Sequence, residues 1–415
     1  MIPTDDQEAS ADKHELRSGS PPWHINQAPF HRTPLPSETR CDVVVIGAGI
    51  TGSLAAEALT RAGKSVIVVD KFMPGRGSTA ASTAMLQWEI DTSLVELAGL
   101  YGAEKAANIY RRSQAAVTDL GSLVASLNVA CAYTPRATLF LGAGEHGYGE
   151  LSAEHDMRNR AGLPGALIER GPLVDTFAMD RPAAILSPGS AEADPLQLSL
   201  GLLRIALERG ATLVEDEVVA YEWSDHAVHL TLAGGGAIEA AYAVLATGYA
   251  MPSFVTADIH KTVSSWCLAT RVQPQENLWR DRVLLWEASD PYLYSRTTAE
   301  GRILIGGEDQ ETKDADERDA LMPEKRARLI AKMSALWPRA DYTLDTQWTA
   351  EFGETDDGLP LIGRVPGAKR FFAAYGYGGN GITFSYMASR MLMACLAGEE
   401  RPWFDDFALD RPPVG

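Results

Sequence analysis

Residues 42–70 read DVVVIGAGITGSLAAEALTRAGKSVIVVD, and this stretch decides the architecture of the chain. DVVVIG is an unbroken apolar run of the kind that forms a strand buried on both faces of a parallel sheet. GAGITG follows directly, then SLAAEALTRAG, a helix-forming segment that Gly63 ends, then a second buried strand, SVIVVD. The unit is a β-α-β crossover of about thirty residues. Its three glycines have separable tasks. Gly47 permits the tight turn off the strand, Gly49 lets the backbone approach a pyrophosphate, and Gly52 lets the helix pack closely on the sheet. Ile50 and Thr51 open the helix, whose first N–H groups and dipole favour phosphate. Asp70, followed by Lys71, lies eighteen residues after Gly52, placed to accept hydrogen bonds from ribose hydroxyls. An adenine dinucleotide is the expected ligand. An aspartate there, rather than an arginine cluster, argues against a 2′-phosphate and so against NADP.

The 415 residues exceed what one ordinary core organises, so two domains are expected. Apolar residues at 46 % and charged residues at 22 % are the balance of a globular chain able to enclose a large cofactor. With 37 basic against 55 acidic residues the formal charge is −18. Such a surface repels phosphate backbones, so nucleic acid is not an expected partner, and it favours cations at long range. Cys41, Cys131, Cys267 and Cys395 are scattered without a C-x-x-C pair, so neither a disulfide framework nor a metal site is expected. The polar start has no signal-peptide pattern and no run approaches the ~20 apolar residues of a membrane span. A cytoplasmic location is the resulting expectation.

Further along, helical spacing over 92–128 and 195–210 is followed by strands within 211–247. Turn-separated strands occupy 263–310, a helix 320–337, a strand DTQWTAEF, and a closing helix about 381–397. The boundaries expected are an arm over 1–40 held by Trp23 and Phe30, and a discontinuous cofactor domain from 41–95, 190–262 and 340–400. A substrate domain follows from 96–189 and 263–339, with a tail over 401–415. The fold class is α/β, α+β overall: a Rossmann-type domain with a doubly wound parallel sheet, and an inserted sheet-based domain.

Three later segments separate FAD from NAD. RGSTAASTA (76–84) carries the hydroxyls of Ser78, Thr79, Ser82 and Thr83. LATGY (245–249) contains Thr247 and Gly248. DGLPLIG (357–363), with Gly358 and Pro360, precedes GYGGNGIT (376–383), with Tyr377, Gly378, Gly379, Asn380, Gly381, Ile382 and Thr383. On these motifs the chain resembles the D-amino-acid oxidase (DAO) superfamily of FAD-dependent oxidoreductases, which includes glycine oxidase, sarcosine oxidase and D-amino-acid dehydrogenases. The resemblance runs from Cys41 to about Gly398. It implies that the first loop wraps the pyrophosphate, that Val218 holds adenine through its backbone, and that the last glycines lie against the flavin. A glycine-rich entry to a helix there supplies N–H groups and a dipole for negative charge on reduced flavin. No His or Cys occurs in 76–84 or 345–363, so the flavin is expected to be held non-covalently.

The resemblance also implies that an amine or amino acid gives hydride to the flavin, with O2 or a redox carrier as final acceptor. Amino-acid oxidisers of the family carry W-x-G-x-R-P-x-T-P-D-G-x-P, whose arginine clamps the substrate carboxylate. This chain reads WTAEFGETDDGLP, with Phe352 in the arginine's place, and Ala84 and Gln87 stand where arginines follow the flavin loop in sarcosine-oxidase-like relatives. The expected substrate is therefore a small amine without an essential α-carboxylate. Glu351, Glu354 and Glu89 are candidates to hold its charge. Tyr292, Tyr294, Trp286, Trp348, Tyr377 and, less so, Trp88 are candidates for an aromatic cage. Alternatives are an amino- or hydroxy-acid dehydrogenase that uses Arg296 as its clamp, and a flavin-binding subunit without catalysis. A flavin monooxygenase would need a way to bring in NAD(P)H.

Overall fold

The computed structural model describes residues 17–24, 30, 35, 38–144, 146–257, 259–312, 314–399 and 401–413; most of the expected arm lies outside them. Two sheets organise the chain. In the eight-stranded one the order is Leu361–Val365, Ala368–Tyr375, Ala237–Leu245, Glu38–Ile46, Val66–Asp70 and Thr212–Glu215. Its centre is parallel, with Val43 to Ile46 in register with Val66 to Val69 on one side and Tyr242 to Leu245 on the other. These strands are buried on both faces, as their unbroken apolar runs require. On one face Val43, Val45 and Val68 pack against helices Ile50–Arg61, Pro195–Glu208 and Gly381–Leu396. On the other Val44, Ile46 and Val69 meet the antiparallel meander of Val218–Trp223 and Val228–Leu232. The α/β class with a Rossmann-type domain is the expected one.

The ten-stranded sheet runs Arg17–Gly19, Leu344–Thr355, His260–Thr270, Ile303–Gln310, Leu293–Thr297, Leu284–Ala288, Thr134–Gly142, Ala183–Glu192 and Met85–Leu86, with Ala166–Glu169 alongside Ala183–Glu192. Strand Leu344–Thr355 falls within the 340–400 stretch assigned from sequence to the cofactor domain. In the structure it pairs with His260–Thr270 throughout, so its ladder belongs to this second sheet. One face carries helix Ala315–Leu336 over Trp266, Leu268, Ile303 and Ile305. The opposite face, with Cys267, Ala269, Leu304 and Trp348, turns toward Ala81 in the loop over 76–84. Short alternation therefore decides which side chains of this sheet can reach a substrate.

The arm does reach the body where it is described. Arg17–Gly19 adds a strand to Trp348–Ala350. Trp23 Nε1 donates to Ser82 O at 3.0 Å, and Arg204 lies over the Phe30 ring at 5.0 Å.

Candidate active site

At the end of strand Glu38–Ile46 the chain turns at Gly47, whose φ is +105°. A Cβ at Gly47 would lie 2.2 Å from Ala246 O, and one at Gly52 would lie 1.9 Å from Gly47 O. Strand end, helix start and the ATG turn thus touch through bare backbone, and only glycine fits. Helix Ile50–Arg61 begins at Gly49 without a side-chain cap, which leaves first-turn N–H groups for a phosphate; Ile50 N already donates to Thr79 Oγ1 at 2.9 Å. Asp70 accepts from Ala48 N at 2.6 Å and Phe72 N at 2.8 Å, while burial raises its carboxyl above the usual range. Lys71 pairs with Glu217 at 3.1 Å, and Asp216 N donates to Asp70 O, so Val218 follows two residues beyond that contact. Ser78 Oγ is buried without a hydrogen-bond partner, a hydroxyl of the kind a bound phosphate satisfies. Ser82 Oγ accepts from Ala84 N at 3.0 Å. Ala246 N donates to Ile46 O at 2.8 Å and so sets Thr247 and Gly248 at the mouth of the same turn. This cradle fits a dinucleotide.

The C-terminal motifs close over it. Asn380 Nδ2 donates to Gln87 O at 3.1 Å and Glu89 O at 2.8 Å, and Thr383 Oγ1 to Gln87 O at 2.9 Å. Gly379 N donates to Asp91 Oδ2 at 2.6 Å. Helix Gly381–Leu396, in which Ile382 is buried, starts behind Asn380 without a side-chain cap. Its free N–H groups suit negative charge on a reduced flavin ring. Behind the loop of Gly358 and Pro360, Arg411 grips Asp357 through two 2.8 Å bonds and Pro360 O through another. Tyr101 completes that knot at 2.6 Å from Asp357. The C-terminal residues, given no role from sequence, therefore brace the loop of Gly358 and Pro360.

On the substrate side the structure corrects several sequence expectations. Glu351 does not share the face of Phe352: neighbouring strand residues face opposite ways, so with Phe352 on the side of Trp348 and Ala350, Glu351 points at helix Ala315–Leu336. There it is 1 % exposed and 2.8 Å from Arg318, itself fully buried. Glu354 pairs with Lys261 at 3.0 Å, and Glu89 is buried among Thr138, Ser190 and Arg158. Arg296 is no clamp either. It is 2 % exposed; Nε donates to Thr83 O, Nη1 to Thr297 O at 3.0 Å and Nη2 to Ala193 O at 2.7 Å, and Glu192 lies 3.5 Å away. Burial draws its pKa down to about 10. Tyr377 is core, with its hydroxyl on Ala374 O at 2.7 Å and near Thr51, whose own hydroxyl meets Ser385 at 2.8 Å. Trp348 and Trp88 are fully buried, donating to Ala81 O and Pro188 O, and Trp286 stacks on Phe140 at 3.9 Å. Of the proposed cage, Tyr292 and Tyr294 remain on the flavin-facing side, rings 5.9 Å apart, with Phe352 partly buried on the same face.

Two acids that the sequence did not single out stand with them. Asp309 sits in the field of Asp91 and Glu354, and Tyr292 in the field of Asp309 and Asp91. Burial pushes both Asp309 and Asp91 up to about 6, and it lifts the Tyr292 and Tyr294 hydroxyls well above their usual range. Asp91 is nevertheless solvent-accessible. Ser265 stands beside Asp309 on the same face.

The comparisons agree with this geometry. Gamma-glutamylputrescine oxidoreductase of Escherichia coli (strain K12) is 26 % identical over 395 residues, covering 92 % of this chain and 88 % of that protein. YhfW of Bacillus subtilis (strain 168) is 26 % identical over 184 residues, a match that spans only 35 % of that protein. The crystal structure of glycine oxidase from Geobacillus kaustophilus superposes with a TM-score of 0.75 at 20 % identity, covering 90 % of this chain and all of that one. The family model described as DAO, FAD dependent oxidoreductase, matches residues 42–395. With the dinucleotide cradle, the capless closing helix and that match together, the chain belongs to the DAO family of FAD-dependent oxidoreductases and binds FAD.

Proposed function

We propose that this enzyme oxidises a C–N bond of a small cationic amine. FAD, when bound, supplies the hydride acceptor at its N5 position. The amine loses a hydride from the carbon beside nitrogen and a proton from nitrogen, leaving an imine that water hydrolyses to a carbonyl compound and a shorter amine or ammonia. The residues at 47–52, 70–71, 76–83, 247–248, 357–360 and 378–383 hold and orient the cofactor. The flavin-facing side of the ten-stranded sheet holds the substrate. Tyr292, Tyr294 and Phe352 give it an apolar, water-excluding wall that positions the reacting carbon.

The observation that carries this reading is the sign of the pocket's charge. It presents the carboxylates of Asp91 and Asp309, while the position of the family's clamp is Phe352 and the guanidinium of Arg296 is taken up by main-chain carbonyls. An α-carboxylate would meet repulsion there, and an ammonium attraction. One relative is named as a gamma-glutamylputrescine oxidoreductase, which is in keeping with an amine substrate. The test is anaerobic bleaching of the flavin's visible band by a panel of amines, amino acids and hydroxy acids. Amines without a carboxylate should bleach it fastest; reduction by carboxylated compounds alone would refute the reading.

A further inference from the structure

Strand Ile303–Gln310 does not keep its alternation. Opposite His260–Thr270, Trp266 faces Gly307 but Ser264 faces Gln310, so one extra residue is inserted. The insertion is a β-bulge: Gly307 has φ +131° and Glu308 φ +60°, and a Cβ at Gly307 would lie 2.2 Å from Tyr292 O. By plain alternation Asp309 would share the helix-covered face of Ile303 and Ile305. The bulge gives that face to Glu308, which Lys332 and Arg328 neutralise, and turns Asp309 into the flavin-facing pocket.

Other buried carboxylates near the site are matched by guanidinium groups: Glu351 by Arg318, Asp357 by Arg411, and Glu192 by Arg136. Asp309 has no such ion pair among the described residues. Neither of its oxygens has a hydrogen-bond donor at ordinary distance, although the Ser265 and Tyr292 hydroxyls lie near enough to favour its charged form. Ser265 Oγ, on a residue only 6 % exposed, is likewise unpartnered. A buried anion with no ion-pair partner is costly, and it points to a cation that arrives with the ligand.

That charge does not suit the reacting nitrogen. Hydride leaves the carbon beside a neutral amine, and a carboxylate next to that nitrogen would hold it as ammonium. Resting on the amine reading above, we propose that Asp309, with Ser265 beside it and Asp91 reinforcing its field, seats a second positive charge on the substrate. The pocket thereby selects a diamine, or an amine with a distal ammonium or guanidinium group. An ammonium there donates to Asp309 and Ser265 while its flank meets the Tyr292 and Tyr294 rings.

The experiment compares anaerobic flavin reduction by a diaminoalkane and by the monoaminoalkane of equal chain length, in the flavin-loaded enzyme and in Asp309→Asn. The wild type should prefer the diamine by about tenfold to a hundredfold in reduction rate over Kd, and the variant should lose most of that ratio. Ser265→Ala, a milder change, should cut the ratio several-fold if Asp309→Asn fails to fold. Calorimetry with diamines and monoamines whose amine-bearing carbons carry no hydrogen, and so cannot give hydride, reads the same preference without turnover. Equal use of both amines, or a preference that survives Asp309→Asn, overturns the inference and leaves the amine reading standing. If no amine reduces the flavin, the amine reading falls, and bis-cations binding no tighter than mono-cations removes the second-charge site independently.

Discussion

Asp309→Asn has a consequence for stability that runs opposite to its consequence for substrate choice. The folded carboxyl titrates at about 6, against the ordinary 3.8, chiefly because burial disfavours its charge. A raised carboxyl means the folded state holds its proton more tightly than the unfolded chain does. Its ionisation therefore costs stability in full above pH 6, and the cost fades as pH falls from 6 toward 3.8. At neutral pH the gap corresponds to roughly 3 kcal/mol, at 1.36 kcal/mol per unit. An asparagine of the same shape has no such penalty. For a chain of this length the gain corresponds to about 3 °C in melting temperature. Melting of the flavin-loaded variant and wild type across pH 4.5 to 8, read by flavin release and by circular dichroism, tests this. The variant should be the more stable at pH 7.5, with a margin shrinking to roughly half near pH 5. The charged groups in the field of Asp309 are Asp91, Glu354 and Lys325, and Asp91 titrates in the same range, so the curve should be broad rather than a single step. A variant less stable than wild type at pH 7.5, or a margin independent of pH, would refute the account of Asp309 as an uncompensated buried charge.

Gly47→Ala should lower FAD affinity by roughly ten- to a hundredfold, since its Cβ would meet Ala246 O at 2.2 Å in a left-handed backbone; flavin-to-protein absorbance after dialysis measures it, and full retention would contradict the cradle. Arg296→Met should cost about 3–5 kcal/mol of stability by leaving the carbonyls of Thr83, Ala193 and Thr297 without their buried donor, while Glu192 keeps only Arg136. Unchanged melting with a raised KM for carboxylated substrates alone would restore its role as a clamp. Burial raises the Asp357 carboxyl, but Arg411 pulls it lower still, to a net position below the usual range. Arg411→Met should therefore cost about 3–5 kcal/mol at neutral pH, with the loss shrinking as pH falls through the ordinary carboxylate range. A variant melting with wild type at pH 7 would show that the C-terminal strap carries no load.

The cofactor half was legible because its requirements are local. Gly47, Gly49, Gly52 and Asp70 lie within one β-α-β unit, where turn, close approach and ribose contact each demand a residue type at a fixed offset. The closing helix, expected over 381–397, spans Gly381–Leu396 because Gly-rich entry and apolar spacing are also local signals. The substrate half depends on which face of a long sheet each residue takes, and that is settled by partners far away in sequence. For Glu351 a usable signal was present: adjacent residues of the strand in DTQWTAEF cannot both face one pocket, so Glu351 and Phe352 could not share a role. For Arg296 there was none, since the carbonyls of Thr83 and Ala193 that bind it lie more than a hundred positions upstream.

Asp309 was hidden for a reason that bears on how the site works. In RILIGGEDQ the alternation of Ile303 and Ile305 assigns Asp309 to the apolar face, and only the Gly306-Gly307 pair signals that the count slips. Without the bulge, Asp309 would stand under helix Ala315–Leu336, within reach of the cations that Glu308 now takes, and the pocket would lose its unmatched acid. One inserted residue thus performs two tasks. It delivers Glu308 to Lys332 and Arg328, which pins the helix to the sheet, and it denies Asp309 the same neutralisation. The cost of that unmatched charge is confined to the apo pocket, because a cationic substrate removes it on binding. The contribution of Asp309 to affinity and its penalty to the free fold are therefore two readings of one electrostatic quantity, and they should rise and fall together across substitutions at 309.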